Sequence, residues 1–262
     1  MIPVDIKPGT SPLILAMPHS GTFVPDDILA RLSPAGTTLA DTDWHIDRLY
    51  EDLAPDAAVI RANFHRYVID ANRGPEGQSL YPGQNTTGLC PLISFGNDPL
   101  YQAGKEPDEA EITQRLNDFH APYHAAIKAA IAHALDSHGV AVLYDCHSIQ
   151  SHVPFLFDGR LPNFNIGTYD GRSCARDFQS KVSEVCKAAN GFTSVTNGRF
   201  KGGWTTRHYG QPDTGVHAIQ MELAQSTYMV EAPPWTCLDT RADQTRAHLK
   251  LILNTLSDWR PQ

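Results

Sequence analysis

The sequence predicts an α/β fold, and three observations predict it. Two apolar runs, residues 13–17 and 140–145, lead into Pro18-His19-Ser20 and Cys146-His147-Ser148. A helical pattern over residues 109–138 stops at Gly139 and is followed at once by the second run, the succession that a parallel crossover needs. Strand-like and helix-like segments then alternate toward the C-terminus.

In chain order, residues 12–17 read as a buried strand, and a Pro/Gly-punctuated loop follows through Gly36. Residues 41–53 carry a helical pattern, with Trp44, Ile46, Leu49, Tyr50 and Leu53 apolar and Asp41 or Thr42 available as N-cap. Residues 57–63 and 67–70 are short extended runs around Phe64-His65-Arg66. The glycines and prolines crowded between residues 72 and 101 forbid regular structure there. A stretch of that length is expected to be a lid or binding loop, an insertion at about 72–108 over the rim of the sheet. In residues 109–138, Ile112, Leu116, Phe119, Ile127, Ile131 and Leu135 recur at helical spacing, with a break expected at Pro122. Residues 140–145, 163–169 and 216–223 read as strands, and 173–189 and 239–259 as helices. No repeat or domain boundary is evident, so residues 1–262 are expected to form one domain.

With 262 residues, 41% hydrophobic and 19% charged, the chain can bury one sizeable core. No window of about 18 apolar residues exists, so no membrane span is expected. Residues 1–10 lack the basic segment and apolar stretch of a signal peptide. The five cysteines are scattered and never form Cys-x-x-Cys, which argues against a disulfide framework or a thiolate zinc site; a cytoplasmic location is the expectation. A net charge of −8 disfavours nucleic acid as a partner and requires any anionic small substrate to find a local cationic pocket.

Ligands of open α/β sheets bind at the carboxyl ends of parallel strands, so His19 and His147 can converge although far apart in sequence. Taken singly, a His after a strand is usually a hydrogen-bonded loop residue. Two of them with one carboxylate make the three-ligand set of a catalytic zinc site. Asp43 is the preferred third ligand, Asp47 the second choice four residues on, and His45 a weaker contender; Asp41 is read as a helix cap. Glu222 shares a strand face with Gln220 and Ala218, opposite Met221 and Leu223. A carboxylate there is costly unless partnered, so it is either in an ion pair with an arginine or the base for a metal-activated water. Arg66, Asn72 and Arg73 flank one short run and suit carboxylate recognition, with Arg207, after Gly202-Gly203, as a further cation. A nucleophilic Cys146 is disfavoured, because on a strand it faces away from its neighbour His147.

Pro-His-Ser-Gly at 18–21, the Asp43/Asp47 segment, Asp-x-Asn-Arg at 70–73, Asp-Cys-His-Ser at 145–148, Gly-Gly at 202–203 and Met-Glu at 221–222 together resemble the N-formylglutamate amidohydrolase family. The resemblance runs in order along nearly the whole chain. It implies a three-layer α/β/α fold with a mixed, mostly parallel sheet, like that of the zinc-dependent exopeptidases. It also implies hydrolysis of N-formyl-L-glutamate to formate and L-glutamate in histidine degradation. Zinc, or another divalent transition metal, would be held by His19, Asp43 and His147, with Glu222 as catalytic carboxylate and a small dicarboxylate as substrate. His19-Ser20-Gly21-Thr22 lacks the acid of the His-x-x-Glu pattern usual in the peptidases, which leaves Asp43 and Asp47 both open. Amidohydrolysis of another N-acyl amino acid or of a peptidoglycan peptide, and non-catalytic binding of a glutamate-like ligand, are the alternatives.

Overall fold

A computed structural model describes residues 1–79 and 83–261. Among these, seven strands form one sheet: β1 (Val4–Lys7), β2 (Leu13–Met17), β3 (Ala58–Ala62), β4 (Ala141–Ile149), β5 (Phe164–Gly167), β6 (Ser194–Thr196) and β7 (Val216–Ala224). Their order across the sheet is β1-β3-β2-β4-β7-β5-β6. The pairs β2–β3, β2–β4, β4–β7 and β5–β6 are parallel; β1–β3 and β5–β7 are antiparallel. The sheet is therefore mixed and mostly parallel, and the longest strands, β4 and β7, lie at its centre.

The helices are α1 (Asp26–Leu29), α2 (Ile46–Tyr50), α3 (Glu109–Arg115), α4 (Ala121–His138), α5 (Arg176–Ala188), α6 (Trp204–Tyr209) and α7 (Asp239–Asp258). On one face of the sheet, α2, α5 and α7 pack Ile46, Phe178 and Leu249 against Leu15, Tyr144 and Ile219. On the other, α4 and α6 pack Tyr123, Ile127 and Tyr209 with Ile14, Leu143 and Ala218. This makes the three layers of the expected fold, each fully buried Leu, Ile or Phe contributing about 1.5–3 kcal/mol through removal of its surface from water.

Strand parity divides the residues of β4 and β7 between the two cores. Val142, Tyr144, Cys146, Ile219, Met221 and Leu223 join the first, and Ala141, Leu143 and Ala218 the second. Asp145, His147, Gln220 and Glu222 continue the second face beyond its apolar part, where the covering layer consists of loops and the start of α6.

Several local expectations are corrected. The strand read over 140–145 continues to Ile149, so His147 lies within β4 and not past its end. The helix expected over 41–53 is reduced to Ile46–Tyr50, because the Asp43 amide donates to the His19 carbonyl (3.0 Å) and holds residues 41–45 against the sheet. Asp41 caps no helix; its carboxylate accepts from the Phe95 amide (2.9 Å). Residues 67–70 are not a strand, since their polar backbone is satisfied elsewhere: Arg115 donates to Val68 O (2.8 Å) and Asp70 N donates to Leu89 O (2.7 Å). Pro122 does not break the 109–138 helix. A π-helical turn, Leu116–His120, precedes it, and Pro122 falls in the first turn of α4, where a missing amide is tolerated. Between residues 72 and 108 the described backbone forms turns and isolated bridges; residues 80–82, within the expected lid, lie outside the described residues.

Candidate metal and substrate site

The carboxyl ends of β2, β4 and β7 open into one cavity, lined by His19, His147, Gln220 and Glu222 from this edge. His19 stands two residues past β2. In the parallel β4–β7 ladder His147 pairs in register with Glu222, and Asp145 with Gln220, so all four side chains share a face. Asp43 is brought in by its backbone bond to His19, and its Oδ2 also accepts from the Ser148 amide (3.1 Å).

The result is a buried group of His19, Asp43 and His147 whose ligand atoms lie within 4.8 Å of one another. Asp43 Oδ2 is 3.2 Å from His147 Nδ1 and 3.8 Å from His19 Nδ1. Each imidazole turns its other nitrogen to a carboxylate: His19 Nε2 is 2.7 Å from Asp70 Oδ1, and His147 Nε2 is 3.1 Å from Asp145 Oδ2. That arrangement fixes ring orientation and leaves both Nδ1 atoms directed at Asp43. Asp47 is not part of the group, being paired with Arg61 (2.5 Å), and His45 Nε2 meets the Trp235 carbonyl (2.6 Å).

These residues fit a divalent cation. His19 Nδ1 is buried and has no hydrogen-bond partner, although it faces the Asp43 carboxylate. Burial opposes the charge of His147, yet Asp145 and Asp43 outweigh it and hold the imidazole well above its ordinary pKa. Two imidazole nitrogens facing one buried carboxylate make a donor set suited to a divalent cation. Burial pushes His19 the other way, assisted by Arg66. Burial also raises Glu222 to about 7, with Asp43 adding to the rise and His147 opposing it. Glu222 Oε2 accepts from Gln220 Nε2 (2.8 Å), and Gln220 Oε1 accepts from Gly203 N (2.6 Å), so the carboxylate is oriented from its own strand.

Arg66, Arg73 and Arg199 line the rest of the cavity together with neutral polar and apolar side chains. Arg66 donates to Asp70 (2.6 Å) and lies over the Phe95 ring. Burial works against the Asp70 charge, but Arg66, His19 and Arg73 hold its carboxyl well below the usual range. Arg73 is held by Thr87 O (3.0 Å) and Thr86 Oγ1 (3.2 Å). Asn72 presents Nδ2 2.9 Å from His147 Nε2 while Oδ1 accepts from Thr205 N (2.9 Å). A Cβ on Gly203 would lie 2.2 Å from Asn72 Nδ2 and Gly202 has φ +106°, so both positions of the Gly-Gly pair require glycine. Arg207 does not line the cavity: its Nε donates to Gly202 O (2.8 Å) and its guanidinium lies near Tyr169. Arg199 does line it, anchored on the carbonyls of Leu156 (2.8 Å) and Asn85 (3.0 Å).

Sequence reasoning gave no role to Asp70, Asp145, Gln220 or Arg199. Asp70 and Asp145 sit inside motifs already singled out, each two residues before a predicted site residue (Asn72 and His147), which was a usable signal. Arg199 had none, since only folding brings it to this rim. Cys146 lies on the opposite face, fully buried, its thiol pushed well above its ordinary pKa by burial. It has no access to the cavity as a nucleophile.

Comparison with known proteins identifies the family. The family profile described as N-formylglutamate amidohydrolase matches residues 11–229. An N-formylglutamate deformylase of Pseudomonas aeruginosa is 45% identical over 258 residues, covering 98% of this chain and 96% of the relative. One from Pseudomonas putida is 44% identical over 253 residues, covering 96% and 94%. A crystal structure of an N-formylglutamate amidohydrolase from Ralstonia eutropha JMP134 superposes with a TM-score of 0.79 at 26% identity, covering 98% of this chain and 96% of that one. Among the described residues no helix is long and apolar enough to cross a membrane.

Proposed function

The chain belongs to the N-formylglutamate amidohydrolase family, and from that premise we propose that it hydrolyses N-formyl-L-glutamate to formate and L-glutamate with zinc or another divalent transition metal as cofactor, a reaction that serves histidine degradation in the cytoplasm. The observation that carries the reading is the convergence of His19 Nδ1 and His147 Nδ1 on the buried Asp43 carboxylate, with His19, His147 and Glu222 on the wall of one cavity. His19, Asp43 and His147 would hold the metal. When bound, it supplies a Lewis acid that polarises the formyl carbonyl and makes water more acidic.

The chain's own groups do the rest. Glu222, buried and raised toward neutrality, accepts a proton from the attacking water and delivers it to the glutamate nitrogen as the amide C–N bond breaks. Asn72 and Arg73 hold one substrate carboxylate, and Arg66 or Arg199 the other. Two fixed anionic ends set the register of the formyl group against Glu222, and the arginines that hold them meet the need for a local cationic pocket in an acidic protein.

Formate release from N-formylglutamate, beside N-formylaspartate, N-acetylglutamate and N-formylmethionine, tests the substrate. The expected order places N-formylglutamate first. Chelation is expected to abolish turnover and zinc to restore it. Full activity in metal-free protein would overturn the metal assignment, and glutamate binding without hydrolysis in zinc-loaded protein would favour a binding protein.

A further inference from the structure

Two histidines that do not line the cavity reach the backbone of the Asn72-Arg73 segment. His120 closes the π-helical turn Leu116–His120, and His124 lies one turn on in α4. His120 Nε2 is 2.9 Å from Arg73 O, and His124 Nε2 is 2.9 Å from Ala71 O. A carbonyl can only accept, so in both rings Nε2 carries the proton and donates. In His124 the other nitrogen, Nδ1, is 3.0 Å from the Tyr209 hydroxyl, which completes the pairing of a neutral ring. The Asn72 carbonyl between them accepts from Trp204 N (3.3 Å) and from Arg73 Nη1 (3.2 Å). Three successive carbonyls are thus occupied, and Trp204 also packs its ring edge-on to His124 (4.7 Å between centroids).

We propose that His120 and His124 are positioning residues for the substrate: by pinning the carbonyls on either side of Asn72 they preset the side chains of Asn72 and Arg73 for a carboxylate. The inference rests on the reading that Asn72 and Arg73 hold one end of the substrate. The neighbouring buried positions of α4, Tyr123, Ile127 and Ile131, serve the core with largely apolar side chains. An imidazole N–H is costly in such a layer unless it is paired, and here the Nε2 of each ring is paired to the segment that carries the clamp. Burial keeps both rings below their ordinary pKa, His124 at about 3, so they are neutral donors at neutral pH. The π-turn shifts the helix register where His120 reaches Arg73, as such turns often do beside functional sites. Ordering the segment before binding removes an entropic cost that the ligand would otherwise bear.

The test replaces each histidine with Gln, which keeps a donor, and with Met, which has similar length and none. Formate release from N-formylglutamate gives KM and kcat, and calorimetry with L-glutamate gives Kd. The Met variants should raise KM and Kd about tenfold through the lost hydrogen bond while kcat stays within about threefold. The Gln variants should recover most of that loss. In an Arg73→Ala background, His120→Met should add nothing, because both act through one element. A Met variant that lowers kcat at unchanged KM and Kd, that matches Gln, or that costs the same without Arg73, overturns the proposal. Should a Met variant not fold, a folded Gln variant must still keep KM and Kd near wild type, and a tenfold rise in it overturns the proposal too. Wild-type protein that binds L-glutamate but releases no formate would defeat the deformylase reading and leave this inference to be decided on Kd. Wild-type protein that does neither would remove the clamp itself.

Discussion

The two faces of β4 and β7 begin alike and end differently. Near their amino ends both faces are apolar, with Val142 and Ile219 on one side and Leu143 and Ala218 on the other. At the carboxyl ends one face stays apolar through Tyr144, Cys146, Met221 and Leu223, sealed under α5 and α7, while the other turns to Asp145, His147, Gln220 and Glu222. Adjacent residues therefore serve opposite purposes. A period of two lets a single strand supply the core and the site without compromise, and the difference teaches that the chemistry here is confined by parity and not by sequence distance.

Substitutions one residue apart can break that contrast. The largest effect is expected at Glu222→Gln: kcat lower by about 10²–10⁴-fold with metal content and melting temperature near wild type, read by formate release and metal analysis. Its neighbour Met221→Ala should do the reverse, costing about 2–5 kcal/mol of stability in denaturant titration while kcat in the folded fraction stays near wild type. A smaller effect follows from pH on the helix layer of the site-bearing face. His124 titrates at about 3 in the folded chain and near 6.5 unfolded, so between those values the unfolded state binds more protons. Stability from this group should fall as pH drops through that window, at up to about 1.4 kcal/mol per pH unit, and His124→Gln should flatten the slope. The smallest change in activity is expected at Cys146→Ser, where turnover should be unaltered and only stability should suffer, by about 1–3 kcal/mol for a hydroxyl placed among apolar side chains. Loss of turnover there at intact metal content would break the comparison.

Legibility followed the range of the interactions. The strand that holds Glu222, its face and its company with Gln220 were readable from alternation alone. The 41–53 helix was misread because its periodicity is real but its first residues are pulled away by His19 and Ser148, partners far off in sequence. Residues 67–70 have strand composition and no strand, since their polar backbone finds Arg115 and Leu89 in place of a ladder. Asp43 and Asp47 were inseparable by spacing. Folding sends the first to the two histidines and the second to Arg61. Arg207 and Arg199 are both near Gly202-Gly203 in sequence, and only the path of the chain through β6 and into α6 decides which of them faces the cavity.

By itself the sequence determined the α/β class, the parity that puts Glu222 and Cys146 on opposite faces, and the candidate histidines, because hydrophobic periodicity and residue chemistry are local properties. The tertiary structure alone decided which carboxylate meets those histidines, which arginine reaches the cavity, and what holds the Asn72 segment still. Those are contacts between residues tens to more than a hundred positions apart, and their selection depends on which buried polar groups can be paired once the whole sheet has closed.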